Sequence, residues 1–173
     1  MKIAKLAEAY SLPVMSHGAH DVHIQLLAAC PNTAYMEVHA FGIEDYISNN
    51  TEIIDRLAVC RLDNSGFHSN GYLVTAWAGD KADACCIIHG YLDGSLENPR
   101  RPPLSASFYA NSFLENGQDR YDLSRMATAL DPSGGGHVNA CGCRIQQPGL
   151  KSNLEHWLEM WANRESILAL AKD

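Results

Sequence analysis

Apolar and polar residues alternate along the chain in two different rhythms, and the change falls near residue 50. In the first stretch, Ile3, Leu6, Ala7 and Tyr10 sit at helical spacing over residues 2–10. Leu12 to Met15 follows after a break and reads as a short strand, with Pro13 at its start or edge. Residues 22–29 carry a second helical pattern that stops before Pro31, and residues 34–38 read as a strand. Helix, strand, helix, strand is the order of parallel α/β proteins. This run is too short to close a sheet or barrel by itself. The polar Ser48-Asn49-Asn50-Thr51 marks the junction, with Thr51 as a cap for a short helix to about Arg56.

Beyond the junction the order changes. Residues 57–61 read as a strand. Ser69 or Asn70 caps a helix that runs through Trp77 and stops at Gly79. Residues 84–89 form an apolar strand, residues 92–103 a loop containing Gly, Asn and three prolines, and residues 104–109 an alternating strand. Asp122 caps a helix that carries Leu123, Met126, Ala127 and Leu130 on one face and ends at Pro132. A glycine run then leads to a short strand over residues 143–146. The tail repeats Leu154, Trp157, Leu158, Trp161 and Leu168 as a helical stripe, which is core packing.

Composition adds three exclusions. With 173 residues, 46% of them hydrophobic, three Trp and seven Tyr, the chain can build a core and is not of disordered composition. No run approaches the 18 apolar residues of a membrane span, and no signal-type segment follows the N-terminus, so a cytoplasmic protein is expected. A formal net charge of −7, with Arg100, Arg101, Arg120, Arg125 and Arg144 scattered among acids, argues against duplex nucleic acid; a short anionic ligand remains open. The six cysteines read as reduced thiols: Cys30 and Cys60 as small core residues, Cys85 and Cys86 on opposite faces of one strand, and Cys141-x-Cys143 tighter than a zinc knuckle.

Gly134-Gly135-Gly136-His137-Val138-Asn139 is the sharpest candidate for chemistry. Three glycines let backbone amides approach a ligand with no Cβ in the way, and amides that face one way cradle an anion. His137 can add a hydrogen bond or a charge. The bland reading is a flexible loop between helix and strand. A second cluster, His17, His20, Asp21 and His23 with Glu37 and His39 nearby, has two readings: metal ligands on one turn of helix, or a polar loop in which Asp21 caps a helix and the histidines are solvated.

The run "DLSRMATALDPSGGGHVNACGCRI" resembles the Gly-Gly-Gly-His signature of the DHH-associated domain, the C-terminal domain of DHH-family phosphoesterases. "LAVCRLDNSGFHSNGYLVTAW" is similar to that domain's first strand and helix, "KADACCIIHGYLDG" to its next strand and "PLSASFYANSF" to the one before the signature helix. Together these cover roughly residues 55–147. The family includes RecJ-like exonucleases, oligoribonucleases, and pAp and cyclic-dinucleotide phosphatases. The resemblance implies that Gly134, Gly135, Gly136 and His137 bind phosphate, that Asn139 shapes the turn, and that Ser105 or Ser107 lies alongside. Where many members carry an Arg on the strand that matches "SASFYA", this chain has Ser, Phe and Tyr, so Tyr109 or Phe108 would stack on a base instead. The Asp-His-His motifs that hold Mn²⁺ or Mg²⁺ in complete members are absent from this sequence. No cofactor is therefore expected in this chain alone, and the implied partners are a nucleotide or short oligonucleotide end and a separate DHH subunit.

Residues 2–47, "IAKLAEAYSLPVMSHGAHDVHIQLLAACPNTAYMEVHAFGIEDYI", resemble the end of the barrel in mandelate-racemase-like enzymes of the enolase superfamily, which are Mg²⁺-dependent acid-sugar dehydratases and racemases. Under that alternative His17 would be the general acid or base and Glu37 a strand-end carboxylate. The metal carboxylates and catalytic lysine of that family have no counterpart here. The two resemblances give an α/β expectation: a partial (β/α) barrel fragment at 1–48 before a small mixed-sheet DHH-associated domain at 49–173. Half a barrel leaves strand edges uncovered, which predicts a homodimer.

Overall fold

The computed structural model describes residues 2–16, 26–36, 43–62 and 71–170. His17, His20, Asp21, His23, Glu37 and His39 lie outside the described residues. The chain divides into two compact units, Met1–Glu44 and Asp45–Asp173.

In the first unit, α1 (Lys2–Ala9) is followed by β1 (Val14–Ser16), and β1 pairs in parallel with β2 (Thr33–Met36). The helix ends where Ser11 enters the left-handed region at φ 55° and the Ser11 and Leu12 amides donate to the carbonyls of Glu8 and Ala7. Asn32 ties the pieces together. Its Nδ2 donates to Leu12 O at 2.9 Å and its carbonyl accepts the Val14 amide at 2.9 Å. Only Ala4 of α1 is buried, while Ile3, Leu6 and Tyr10 of the predicted apolar stripe are exposed.

The second unit holds a six-stranded mixed sheet with helices on both faces, an α/β fold. After α2 (Ile43–Asn50) come β3 (Thr51–Ile54), β4 (Leu57–Arg61), α3 (Gly71–Ala78), β5 (Ala84–His89), β6 (Ser105–Ala110), α4 (Ser124–Leu130), β7 (Gly135–His137), β8 (Ala140–Arg144), α5 (Leu150–Ala162) and α6 (Arg164–Ile167). The strand order is β3-β4-β5-β6-β8-β7. Only β4 and β5 run parallel, joined across α3; every other neighbouring pair is antiparallel.

Two expectations near residue 50 are corrected. Ser48 to Asn50 is the last turn of a helix, not a loop, and Thr51 opens a strand, not a helix. The reason is a two-residue hairpin. Asp55 and Arg56 both take positive φ, 45° and 67°, the turn whose twist matches paired antiparallel strands. Tertiary contacts hold it there. Trp161 Nε1 donates to Asp55 O at 2.8 Å, Arg164 pairs with the Asp55 carboxylate, and the Arg56 guanidinium forks onto Asp83 at 2.9 and 2.7 Å.

The tail forms the expected core, broken once at Asn163 into α5 and α6. Trp157, Trp161 and Leu168 are fully buried with Phe108, Leu123 and Met126 against one face of the sheet. Phe108 meets Trp157 edge-on at 5.1 Å, and Tyr121 meets Trp161 at 5.3 Å. Trp157 Nε1 is satisfied by Met126 O at 3.0 Å. The other face packs α3, through Val74 and Ala78. Cys85 and Cys86 are both buried on neighbouring positions of β5, and only Cys86 joins the tryptophan-side cluster, as strand alternation requires.

Candidate functional site

The glycine run is not a turn. Gly135 to His137 is strand β7, the free edge of the sheet, and the turn lies one step later at Val138 and Asn139. Successive amides of a strand point in opposite directions, so three glycine amides do not converge on one anion. The Gly134 amide is already used, donating to Asp131 O at 2.8 Å. The glycines answer chiefly to their own fold. A Cβ on Gly134 would lie 2.6 Å from Ala127 O, and one on Gly136, whose φ is 137°, would lie 2.7 Å from Ala140 O.

What the fold builds instead is a polar sheet face. Along β6, Ala106 and Phe108 enter the core, which turns Ser105, Ser107 and Tyr109 to the other side. Along β8, Cys141 and Cys143 point inward, so Ala140, Gly142 and Arg144 point outward with them. Register then sets three rows. Ser105 lies opposite both His89 and Arg144; Ser107 lies opposite Gly142, and Gly142 opposite Gly135; Tyr109 lies opposite Ala140, and Ala140 opposite His137. Directly opposed residues have Cβ atoms about 5 Å apart. The middle row is Ser107, Gly142 and Gly135, so it forms a shallow trough. His137 and Tyr109 stand on one side of it, Ser105, His89 and Arg144 on the other.

The polar groups are set by local bonds. His89 Nε2 lies 3.0 Å from Ser107 Oγ and its Nδ1 lies 3.2 Å from Ser105 Oγ, so one imidazole orders both hydroxyls. His137 is exposed, and its Nδ1 accepts the Asn139 amide at 3.3 Å. With Nδ1 engaged by that amide, Nε2 is the ring nitrogen left to donate to a ligand. Arg144 is exposed at the end of β8, its amide held by Asp131 Oδ2 at 2.9 Å, and its guanidinium makes no ion pair with a described residue.

The fold thus gathers Gly135, His137, Ser107 and Tyr109 with Ser105 on one face. It leaves Gly134 and Gly136 as packing positions, and it commits Asn139 to the loop over residues 112–120. Phe108 is fully buried against Trp157 and cannot meet a base. Tyr109 has its ring against the start of α3: a Cβ on Gly71 would lie 2.0 Å from Tyr109 Cγ. Sequence reasoning passed over His89 and Arg144. The inward Cys141 and Cys143 signal an outward Arg144, yet only pairing shows that it stands beside Ser105. Among the described residues no three His, Cys, Asp or Glu side chains gather as metal donors. No disulfide joins any of the six cysteines, and burial pushes the Cys141 and Cys143 thiols up to about 12.

No family model matches the chain. Its fold is similar to that of a pGpG-specific phosphodiesterase, PggH, from Vibrio cholerae, with a TM-score of 0.54 and 14% identity over 70% of this chain and 38% of that one. It is also similar to an exopolyphosphatase-related protein from Bacteroides fragilis, with a TM-score of 0.51 and 13% identity over 85% of this chain and 40% of that one. At such identities the likeness is one of fold. A separate match is to the 3,6-anhydro-alpha-L-galactonate cycloisomerase of Streptomyces coelicolor, 41% identical over 54 residues, 31% of this chain and 15% of that protein. The chain spans well under half the length of each of these proteins. Among the described residues no helix is long and apolar enough to cross a membrane.

Proposed function

We propose that the second unit holds the phosphate end of a nucleotide or short oligonucleotide on the face formed by Gly135, His137, Ser105, Ser107 and Arg144. The carrying observation is register: pairing of β6, β8 and β7 sets an exposed imidazole, the Ser105 hydroxyl and an exposed guanidinium around a trough floored by Gly135, Gly142 and the second ordered hydroxyl, Ser107. Those groups suit an anion with several oxygens, since Arg offers a planar fork and the others single donors. The likeness of the signature run to the DHH-associated domain, and of the fold to a pGpG-specific phosphodiesterase, supports the same class of ligand.

The role is binding, not cleavage. Two-metal phosphoester hydrolysis needs carboxylates and imidazoles that hold two ions about 4 Å apart. The Asp-His-His motifs that hold those ions in complete members of the resembled family have no counterpart in this sequence. A separate DHH-type subunit carrying Mn²⁺ or Mg²⁺ would supply the nucleophile, while this chain orients the substrate. Titration of adenosine 3′,5′-bisphosphate, or of a fluorescent dinucleotide, into wild type and His137→Ala tests the reading. Saturable binding that weakens roughly tenfold in the variant is expected, as for the loss of one charge-assisted bond. Equal binding in both proteins, or none in either, ends it.

A second reading attaches to the first unit, through the resemblance of residues 2–47 to mandelate-racemase-like enzymes, and the match to a sugar-acid cycloisomerase supports it. A barrel completed by a partner chain would use His17 and Glu37 on an α-proton with Mg²⁺. Deuterium exchange at the α-carbon of a sugar acid tests it, and no exchange at any protein concentration removes it.

A further inference from the structure

We infer that the exposed Tyr72–Phe113 pair is a stacking platform for a nucleobase, which makes the ligand of the neighbouring phosphate site a nucleotide and not a bare polyphosphate. This rests on the phosphate-binding reading for its anchor. The two rings lie 4.6 Å apart between centroids at 55°. Neither belongs to the core: Tyr72 is 61% exposed and Phe113 48%, whereas Phe108, Tyr121, Trp157 and Trp161 of the same unit are buried in the tryptophan-side cluster. Aromatic surface left in water gains nothing from the hydrophobic effect until something covers it.

The fold puts this pair beside the polar face. Gly71, the residue before Tyr72, rests directly on the Tyr109 ring. Tyr109 lies opposite Ala140, and Ala140 opposite His137, so Tyr109 and His137 are two strand spacings apart, about 10 Å. Phe113 follows β6 closely. Its amide donates to Asn111 Oδ1 at 3.0 Å, and the same Asn111 side chain donates to Gly79 O and Ala82 O at 2.8 Å each, which fixes the loop against the end of α3. Farther along, Asp119 is bonded to Asn139 in the β7–β8 turn. The platform and His137 therefore stand at the same end of the sheet, on the side that packs α3, within the reach of one or two nucleotides. Every base has a π-face, so such a platform tolerates sequence while rejecting ligands without a base. An inorganic polyphosphate could use Arg144, His137 and the two serines and would leave the rings uncovered.

The test uses the full chain and two probes, adenosine 3′,5′-bisphosphate and inorganic pyrophosphate, titrated calorimetrically. Wild type is expected to bind the nucleotide more tightly. Tyr72→Ala and Phe113→Ala should each weaken the nucleotide roughly five- to fiftyfold, with pyrophosphate unchanged, and Tyr72→Phe should keep nucleotide affinity. Both side chains are exposed, so unchanged circular dichroism and melting temperature are expected. Nucleotide affinity unchanged in both alanine variants overturns the platform, as does a parallel loss for pyrophosphate. His137→Ala separates the two ideas: it should weaken both probes. A nucleotide that depends on Tyr72 and Phe113 but not on His137 sinks the phosphate reading and leaves the platform standing. No binding of either probe to wild type sinks both.

Discussion

Asn139 grips Asp119 with both ends of its side-chain amide. Its Oδ1 accepts the Asp119 amide at 2.8 Å and its Nδ2 donates to Asp119 Oδ1 at 2.7 Å. Asp119 sits at φ 56°, a conformation that a non-glycine residue keeps only when its surroundings hold it. The Asn139 backbone serves as well: its carbonyl accepts the Ala110 amide at 2.9 Å, and its own amide reaches His137 Nδ1. Asn139→Ala should therefore cost about 1 kcal/mol in thermal stability and speed amide exchange at Asp119, while the Ala110 amide stays protected. Unchanged exchange at Asp119 would contradict the clamp.

The glycines in the edge hairpin are expected to be structural. Gly136→Ala puts a Cβ 2.7 Å from Ala140 O at a φ of 137°, and Gly134→Ala puts one 2.6 Å from Ala127 O. Each should lose about 1–3 kcal/mol by chemical denaturation. If both variants melt with wild type, the glycines are there for a ligand and not for the fold.

Asp83 gives the molecule an acid limb. Burial opposes its ionisation, yet the bonded Arg56 guanidinium, with Arg120 3.8 Å away, holds its carboxyl below the usual carboxylate value. A pKa that is lower in the folded state stabilises the fold above the unfolded value, and that contribution fades as pH falls through the folded one. Wild type should lose melting temperature below about pH 4. Asp83→Asn should be less stable at pH 7 by about 2 kcal/mol and show a flatter acid limb. Parallel pH profiles for the two proteins would rule this pair out as the cause.

Thiol reactivity should follow burial. Cys141 and Cys143 are held protonated near pH 8 by burial that pushes them up to about 12, and burial also raises Cys60, Cys85 and Cys86 above the usual thiol value. Half-buried Cys30 should react first with an aromatic disulfide reagent, and the five buried thiols only at the rate of unfolding. Fast labelling of Cys141 or Cys143 in the native protein would show that β8 opens.

Much of the second unit was legible from one strand or helix at a time. The apolar run at 84–89, the alternation at 104–109, the stripe through Trp157 and Trp161 and the stop at Gly79 each follow from a local period or a local breaker, and each is where the chain places an element. The Asp55–Arg56 hairpin was not legible, because Arg56 stands where such a turn usually has Gly; Trp161, Arg164 and Asp83, all distant in sequence, decide it. The glycine run failed as a turn for a related reason. Glycine permits many conformations, so its meaning depends on what packs against it, here Ala127 and Ala140.

By itself the sequence determined the strands near residues 84–89 and 104–109, the tryptophan-bearing tail helix and its core, and the presence of a polar, glycine-rich stretch next to a histidine, since these depend on side-chain spacing along a few residues. Tertiary structure alone decided which strands are neighbours. Only that pairing stands His137 across Ala140 from Tyr109, and Arg144 across Ser105 from His89, because residues on separate strands meet through register and not through their distance along the chain.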